Sequence, residues 1–265
     1  MRIPLVYSEE VAEAVTAGQP VVALASDVLR SGPDSAETVR LVEDAVRASG
    51  SVPATIGVDK GRILVGLSES DIERFATAPG VSAVDGRDLP VVLARGTTGA
   101  ATVSASMVAA GLAGLKFLSS AEIGGVHRDG RRLSPDLVQL TRSKVAVVCA
   151  GARNTLDLGL TLEFLETHCV PVVAYRSDDF PAFYFETSGL PSPHRVDDPR
   201  VMARAIESHW ALGNPGSFLV TTPTKPADAI DDDEIESVKA TMAVRINTAE
   251  VAGELAAAHA KEFSS

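Results

Sequence analysis

The chain has 265 residues, of which 45% are hydrophobic and 22% are charged, a composition typical of a folded globular protein. Its formal net charge of −11 argues against a surface for nucleic acid or an anionic membrane, because both favour clustered Lys and Arg. No apolar run approaches the roughly 20 residues of a membrane span, and the N-terminus lacks the features of a signal peptide. These features predict a cytoplasmic protein with no membrane or nucleic-acid partner.

Short β-branched runs alternate with helical patterns in the N-terminal third of the chain. The pattern predicts a buried strand, an amphipathic helix, a hairpin and a second helix, over residues 20–26, 34–50, 52–67 and 68–80. The second helix begins with a capping box, because Ser68 is followed three residues later by Asp71.

The middle of the chain is unusually rich in small residues. Residues 96–115 are nearly all Gly, Ala, Ser and Thr, which predicts either a tightly packed helix or a helix start that cradles a phosphate. Arg95, just before this segment, could contact the phosphate. Further strands are predicted at residues 116–120, 144–151, 170–177 and 216–223, and further helices at 157–168, 198–212 and 236–263. This alternation predicts one α/β domain over residues 1–265.

Common catalytic motifs are absent from the sequence: it has no Rossmann glycine motif, P-loop, zinc-protease motif or nucleophile elbow. Residues 121–132 combine Gly-Gly with His127 and several arginines, which favours an anion site over a plain turn. The acidic segment at 230–236 fits no calcium loop and predicts a solvated turn. Cys149 lies in an apolar run typical of the core, whereas Arg153 follows a predicted strand, where α/β proteins place functional groups.

Several segments in order, among them "VPATIGVDKGRILVGLS", "GAATVSASMVAAGLAGLKF", "IGGVHR" and "VAVVCAGARNTLDLGLTLEFLETHCVPVVAY", resemble the pseudouridine-5′-phosphate glycosidase family, also called indigoidine-synthase-A-like. The resemblance covers residues 15–225 well and the last helix more loosely. It implies a single α/β/α domain and a homotrimer. It also implies a reaction that makes or breaks a C–C glycosidic bond between uracil and ribose 5-phosphate. In that mechanism a lysine forms a Schiff base, a second lysine and a glutamate handle protons, and Mn²⁺ lies nearby.

The catalytic groups that the resemblance implies are substituted in this chain. The glutamate corresponds to Ala25, the Schiff-base lysine to Thr97 and the second lysine to Arg153. The metal-binding aspartate falls on Arg132, so we expect no metal and no cofactor. Threonine has no amine and arginine stays protonated at neutral pH, so the Schiff-base mechanism is not expected here.

The resemblance implies that a phosphosugar or nucleotide pocket is retained. Its predicted substrate- and phosphate-binding residues are Thr55, Arg95, Thr97, Thr98, Ser104, Gly125, Val126, His127, Asp157 and Asn247. The candidate catalytic residues are Asp27 in place of the missing glutamate, His127 as an acid or base, and Arg153 as a group that stabilises an oxyanion or phosphate.

Three functions remain open at this point. The first is an enzyme that acts on a phosphosugar or C-nucleotide without a Schiff base, as in C-glycoside formation or cleavage in secondary metabolism. The second is a catalytically inactive paralogue that binds a ligand or an active partner subunit. In the third, Lys116 or Lys144 takes over the lost lysine's role, but Lys144 precedes a strand rather than following its carboxyl end.

Overall fold

Helices cover both faces of a mostly parallel sheet in the computed structural model, which describes residues 3–32, 34–185, 187–230 and 238–263. The strands are β1 Leu5–Tyr7, β2 Val21–Leu24, β3 Val52–Asp59, β4 Arg62–Val65, β5 Ser82–Val84, β6 Gly99–Ala101, β7 Phe117–Ser119, β8 Val126–His127, β9 Ala146–Cys149, β10 Leu156–Asp157, β11 Val172–Tyr175, β12 His194–Val196 and β13 Phe218–Thr221. The α-helices are α1 Glu9–Thr16, α2 Ser35–Ala48, α3 Glu69–Thr77, α4 Leu89–Arg95, α5 Val103–Ala113, α6 Pro135–Leu140, α7 Leu158–Thr167, α8 Pro199–Ala211 and α9 Val238–Phe263. A short 3-10 helix spans Asp27–Ser31.

The main sheet has the strand order β1-β4-β3-β2-β7-β9-β13-β11-β12, and β6 joins it through β3 and carries β5. Its antiparallel pairs are β3–β4 and β3–β6, whereas β2, β7, β9 and β13 are mutually parallel neighbours. Parallel strands end at the same edge of a sheet. The carboxyl ends of β2, β7, β9 and β13 therefore lie side by side near the middle of the sheet, where open α/β proteins bind ligands.

Side chains of the central strands alternate between two apolar layers. In β9, Val147 and Cys149 pack towards α5, α6 and α7, while Ala146 and Val148 pack towards α2, α8 and α9. Both faces are buried, so the strands form continuous apolar runs rather than alternating ones. The predicted α/β class, with helices on both faces, is confirmed.

The local signals in the N-terminal third are also confirmed. The predicted hairpin is the antiparallel pair β3–β4. The capping box of α3 is complete, because Ser68 Oγ accepts the Asp71 N–H and the Asp71 carboxylate accepts the Ser68 N–H.

The helix predicted over residues 96–115 begins only at Val103, so the prediction is wrong for residues 96–102. Gly99–Ala101 is a strand held between β3 and β5. A Cβ added to Gly99 would lie 2.2 Å from Cγ2 of Val84. The small side chains in this part therefore allow a strand to fit between close neighbours.

None of the described helices combines the length and the apolar composition needed to cross a membrane. The cytoplasmic location and the assignment of residues 1–265 to one domain stay predictions. Residues 231–236, most of the acidic segment, lie outside the described residues.

Candidate functional site

A carboxylate and a guanidinium group meet at the carboxyl edge of the central strands. The pairing of β7 with β9 continues past both strands, where the Ile123 N–H donates to the Gly151 carbonyl at 2.9 Å. This pairing brings Glu122 and Arg153 face to face. The Nε of Arg153 lies 2.7 and 2.8 Å from the two carboxylate oxygens of Glu122.

Two aromatic rings cover Arg153 from the other side. Gly151 has a φ of 74°, and a Cβ there would lie 1.9 Å from the Pro181 carbonyl oxygen, so only glycine lets the segment at 180–185 cross so close. That segment places the rings of Phe183 and Tyr184 with their centroids 4.9 and 5.7 Å from the Arg153 guanidinium carbon. Arg153 is thus held between a carboxylate and two ring faces, as a cation–π pair requires.

Two more charged residues act on Glu122, and we call Asp27, Glu122, Arg153 and Arg245 the carboxyl-edge cluster. Burial raises the pKa of Glu122, an effect that outweighs the lowering by Arg153 and Arg245, while Asp27 raises the pKa further. Arg245, on α9, has a buried Nε with no hydrogen-bond partner among the described residues. The cluster therefore combines a carboxyl group that is easier to protonate than usual with an unsatisfied guanidinium nitrogen.

Comparison with known proteins identifies the family. Residues 10–260 match the sequence model of the family described as "Indigoidine synthase A like protein". The chain belongs to this family.

Members with assigned activities share about half of their residues with this indigoidine synthase A-like chain. It is 50% identical over 294 residues to the pseudouridine-5′-phosphate glycosidase of Dickeya dadantii (strain 3937), covering 96% of this chain and 93% of the relative. It is 51% identical over 298 residues to pseudouridine-5′-phosphate glycosidase 1 of Photorhabdus laumondii, covering 97% and 94%. Both alignments are longer than the 265 residues of this chain, so these glycosidases contain segments with no counterpart here.

Two solved structures share the fold of this family member from end to end. The crystal structure of the prealnumycin C-glycosynthase AlnA in complex with ribulose 5-phosphate superposes with a TM-score of 0.92 at 38% identity, covering 100% of this chain and 99% of that chain. An indigoidine synthase A-like protein from Thermotoga maritima MSB8 gives a TM-score of 0.86 at 26% identity, covering 96% of both chains.

The positions for which the family resemblance implies catalytic groups lie in different places. Ala25 directly follows β2 and is buried, at the same sheet edge as the carboxyl-edge cluster. Thr97 is exposed between α4 and β6. Arg132 is exposed and pairs with Asp129, its Nε 3.3 Å from the carboxylate.

The site of the Mn²⁺ that the resemblance implies does not fit that ion in this chain. An exposed guanidinium stands at Arg132, where the resemblance implies a metal-binding carboxylate. Within the described part of the chain, no three His, Cys, Asp or Glu side chains come together as metal ligands.

Several of the predicted binding residues already have partners in the protein. The hydroxyl of Thr55 is buried and donates to Glu43 Oε1 at 2.6 Å. The hydroxyl of Thr98 donates to Asp59 Oδ1 at 2.5 Å, near the far end of the β3–β4 hairpin. Arg95 is exposed at the end of α4. These side chains lie outside the carboxyl-edge cluster.

A carboxylate of the protein occupies the predicted phosphate cradle at the start of α5. The Ser104 N–H donates to Asp136 Oδ1 at 2.9 Å, and the Gly124 N–H donates to Asp136 Oδ2 at 2.9 Å. Asp136 thereby ties the first turn of α5 to the Gly-Gly segment. The structure favours the tightly packed helix over the phosphate cradle.

The Gly-Gly-Val-His-Arg segment packs against the start of α7. The Val126 N–H donates to Thr161 Oγ1 at 3.0 Å, and a Cβ on Gly125 would lie 2.5 Å from the same oxygen. Asp157 caps the first turn of α7 through its side chain. His127 is half-buried in β8, which pairs with β10. Gly125, Val126 and Asp157 therefore have structural roles that need no ligand, whereas His127 has only its place in β8.

Asp27 belongs to the carboxyl-edge cluster, and Asn247 lies on α9, the helix that supplies Arg245. The Nδ2 of Asn247, on α9, donates at 3.0 Å to the carbonyl of Pro223, which follows β13. Asp27 opens the 3-10 helix after β2 and is near enough to Glu122 to raise its pKa. Of the three predicted catalytic residues, the structure thus brings Asp27 and Arg153 together, while the amide of Asn247 holds the segment after β13.

The lysines invoked for a displaced Schiff base are at the opposite edge of the sheet. Lys116 precedes β7 and forms an ion pair with Glu207, and Lys144 precedes β9. The hypothesis that either lysine supplies the missing amine is wrong, because a strand separates each from the carboxyl edge.

Sequence reasoning missed Glu122, although it lies in the segment at 121–132 that was singled out for its basic residues. An acidic residue directly before Ile-Gly-Gly, at the exit of a buried strand, was the available signal. Arg245 offered no such signal, because the pattern of α9 does not show which residues cross the sheet edge.

Proposed function

We propose that the chain makes or breaks a C–C glycosidic bond between a pentose 5-phosphate and a carbon of an aromatic or heteroaromatic ring, without a lysine imine. The carboxyl-edge cluster is the observation that carries this proposal. It places an acid with a raised pKa beside guanidinium groups at the edge where α/β proteins bind ligands. Relatives named pseudouridine-5′-phosphate glycosidases and a C-glycosynthase crystallised with ribulose 5-phosphate support the substrate class.

The residues at the site favour acid–base and electrostatic catalysis over covalent catalysis. A hydroxyl at Thr97 cannot form an imine, and the Arg153 guanidinium stays protonated at neutral pH. Its ion pair with Glu122 and its aromatic cover hold that charge in place. Arg153 therefore acts as a fixed positive charge that stabilises the carboxylate form of Glu122 or an oxyanion of the substrate.

The anionic end of the substrate would bind near Arg245. A buried guanidinium nitrogen without a hydrogen bond destabilises a protein, and an incoming phosphate or oxyanion oxygen would satisfy it. Asn247 is on the same helix, but its amide donates to the Pro223 carbonyl, so its contribution to binding stays a prediction. His127 and the remaining predicted binding residues stay predictions.

The proposal is tested with ribose 5-phosphate and pseudouridine 5′-phosphate. We expect the protein to release uracil from pseudouridine 5′-phosphate, and the release is measured by ultraviolet absorbance. We also expect no mass increase of the protein after borohydride reduction in the presence of ribose 5-phosphate. A covalent adduct under these conditions would contradict the imine-free mechanism.

The alternative is a non-catalytic paralogue, which the enclosed position of Arg153 between Glu122 and two rings favours. Ribose 5-phosphate or ribulose 5-phosphate would raise the thermal stability of such a protein, but the protein would not turn over ribose 5-phosphate or pseudouridine 5′-phosphate. The triple substitution Ala25→Glu, Thr97→Lys and Arg153→Lys is the control, since it restores the groups that the resemblance implies. We also propose a homotrimer, as the resemblance implies, which light scattering tests.

A further inference from the structure

We propose that Glu122 is the proton-transfer residue of this site and takes the role that the family resemblance implies for a glutamate at position 25. This inference rests on the proposed function and deepens it. No sequence motif points to Glu122; its position at the carboxyl edge and its partners do.

Sheet register places Glu122 next to the position of the lost glutamate. Leu24 of β2 pairs with Ser119 of β7, so Ala25 is level with Ser120. Glu122 follows two residues later on the extension of the neighbouring strand. A carboxylate on Glu122 can therefore reach the space beside Ala25 that a longer side chain at position 25, just after β2, would fill.

The partners of Glu122 suit a group that gains and loses a proton. Its two oxygens lie 2.7 and 2.8 Å from the Nε of Arg153, and Arg245 adds a second positive charge nearby. Its side chain keeps 26% of its exposure, so the carboxyl group is shielded but not sealed. A proton carrier needs this combination, because it must exchange its proton and be stable in both charge states.

Asp27 is the rival for the same role, and its surroundings are less suited to it. Asp27 lies at the start of the 3-10 helix after β2, and no ion pair with Arg153 involves it, whereas Glu122 holds Arg153 directly. Asp27 acts on Glu122 as a like charge. We therefore assign Asp27 a supporting role, in which it helps to keep Glu122 protonated.

The reaction balances with water as the only other reactant. In cleavage, protonated Glu122 donates its proton to the ring carbon that bears the sugar. The electron pair of the C–C bond returns to the ring, and a lone pair of the sugar ring oxygen stabilises the cation at C1. Water adds to C1, and its proton passes to the Glu122 carboxylate, which regenerates the acid. Synthesis follows the same steps in reverse.

The test compares Glu122→Gln with a matched carboxylate at the other sheet edge. Glu207 has a similar side-chain exposure, 28% against 26%, and is also hydrogen-bonded to two basic residues, Lys116 and His259. We expect Glu122→Gln to lower kcat for pseudouridine 5′-phosphate by about 100-fold or more with a small change in KM. Glu207→Gln should keep kcat within about 2-fold of the wild-type protein, since Glu207 lies a strand's length away.

A structural role for Glu122 would give a different result. If Glu122→Gln does not keep the wild-type fold, Glu122→Ala is assayed with added acetate, and a concentration-dependent recovery of kcat supports proton transfer. A fall in kcat of less than about 10-fold in a folded Glu122→Gln protein, or no recovery by acetate, overturns the inference. The inference would also be overturned if Asp27→Asn lowered kcat more than Glu122→Gln does. The wild-type protein tests the proposed function separately. If it releases no uracil from pseudouridine 5′-phosphate, the proposed function is contradicted, whereas the variants test only the role of Glu122.

Discussion

The two edges of the central sheet each hold a carboxylate between basic side chains, but of these two carboxylates only the one at the carboxyl edge has a raised pKa. At the amino edge, Glu207 accepts from Lys116 and from His259 Nε2, the latter at 2.7 Å. Burial acts to raise the pKa of Glu207, yet these two hydrogen bonds outweigh it and the pKa is lowered. At the carboxyl edge, burial raises the pKa of Glu122 despite Arg153.

The difference shows that exposure alone does not decide whether the pKa of a carboxylate in such a cluster is raised or lowered. The two carboxylates are about equally exposed, at 26% for Glu122 and 28% for Glu207. Glu207 accepts a short hydrogen bond from each basic neighbour, so its charged form is stable, and these bonds tie α8 to α9. Glu122 shares its site with the like charge of Asp27 and with the unpaired Nε of Arg245. The second arrangement costs stability, as functional sites commonly do.

The largest effect is expected from removing the glycine that lets the aromatic cover form. In Gly151→Ala the new Cβ would lie 1.9 Å from the Pro181 carbonyl oxygen, at a φ of 74°. We expect the free energy of unfolding to fall by about 3 kcal/mol or more, measured in denaturant. Gly111→Ala is the control, since a Cβ there meets nothing within 4 Å and an exposed helix position should gain about 1 kcal/mol at most. A stable Gly151→Ala protein would show that residues 180–185 do not depend on this close approach.

Removal of the cation that faces Glu122 should have the next largest effect. Arg153→Met leaves a partly buried carboxylate without its ion pair, and we expect a loss of about 2 kcal/mol at pH 7, between the values for exposed and buried pairs. Because the folded-state pKa of Glu122 is raised, the charged carboxyl group destabilises the folded protein at a pH above that pKa. Protonation removes the charge, so the stability lost in Arg153→Met is recovered as the pH falls towards about 4. The destabilisation should therefore shrink in mild acid. A cost independent of pH would mean that packing against the rings dominates.

The charges around Glu122 should move its pKa in opposite directions. If protonated Glu122 is the donor, the rate falls as the pH rises through its pKa, which burial holds above the usual value of about 4.3. Arg245→Gln removes a positive charge and should move this limb of the profile to higher pH by about half a unit or more. Asp27→Asn removes a negative charge and should move it to lower pH. Shifts in the same direction for both variants would contradict the assignment.

The smallest effect is expected at the amino edge. Lys116→Met removes a partly exposed partner of Glu207, and His259 still pairs with that carboxylate. We expect the free energy of unfolding to change by less than about 1 kcal/mol, and kcat to be unchanged. A loss comparable to that of Arg153→Met would show that the two edges do not differ as described.

The sequence determined the local elements and the family with little help from the structure. Apolar runs, glycine stops and the Ser68 capping box are signals carried by neighbouring residues, so β2, α2, the β3–β4 hairpin and α3 were predictable. The resemblance to the family held over nearly the whole chain. The helix prediction failed at residues 96–102, because small residues suit a crowded strand as well as a helix, and only the neighbours β3 and β5 decide between them.

Only the tertiary structure decided which residues share the site. Glu122 and Arg153 are 31 residues apart and meet because β7 and β9 are adjacent, and Arg245 joins them from the last helix. Likewise, the sequence left open whether the start of α5 holds a phosphate, and the structure shows its Ser104 N–H bound to Asp136. By itself the sequence determined that Ala, Thr and Arg stand at positions 25, 97 and 153, where the resemblance implies a glutamate and two lysines. Which groups now stand beside those positions depends on strand order and register, which bring together residues that are distant in the chain.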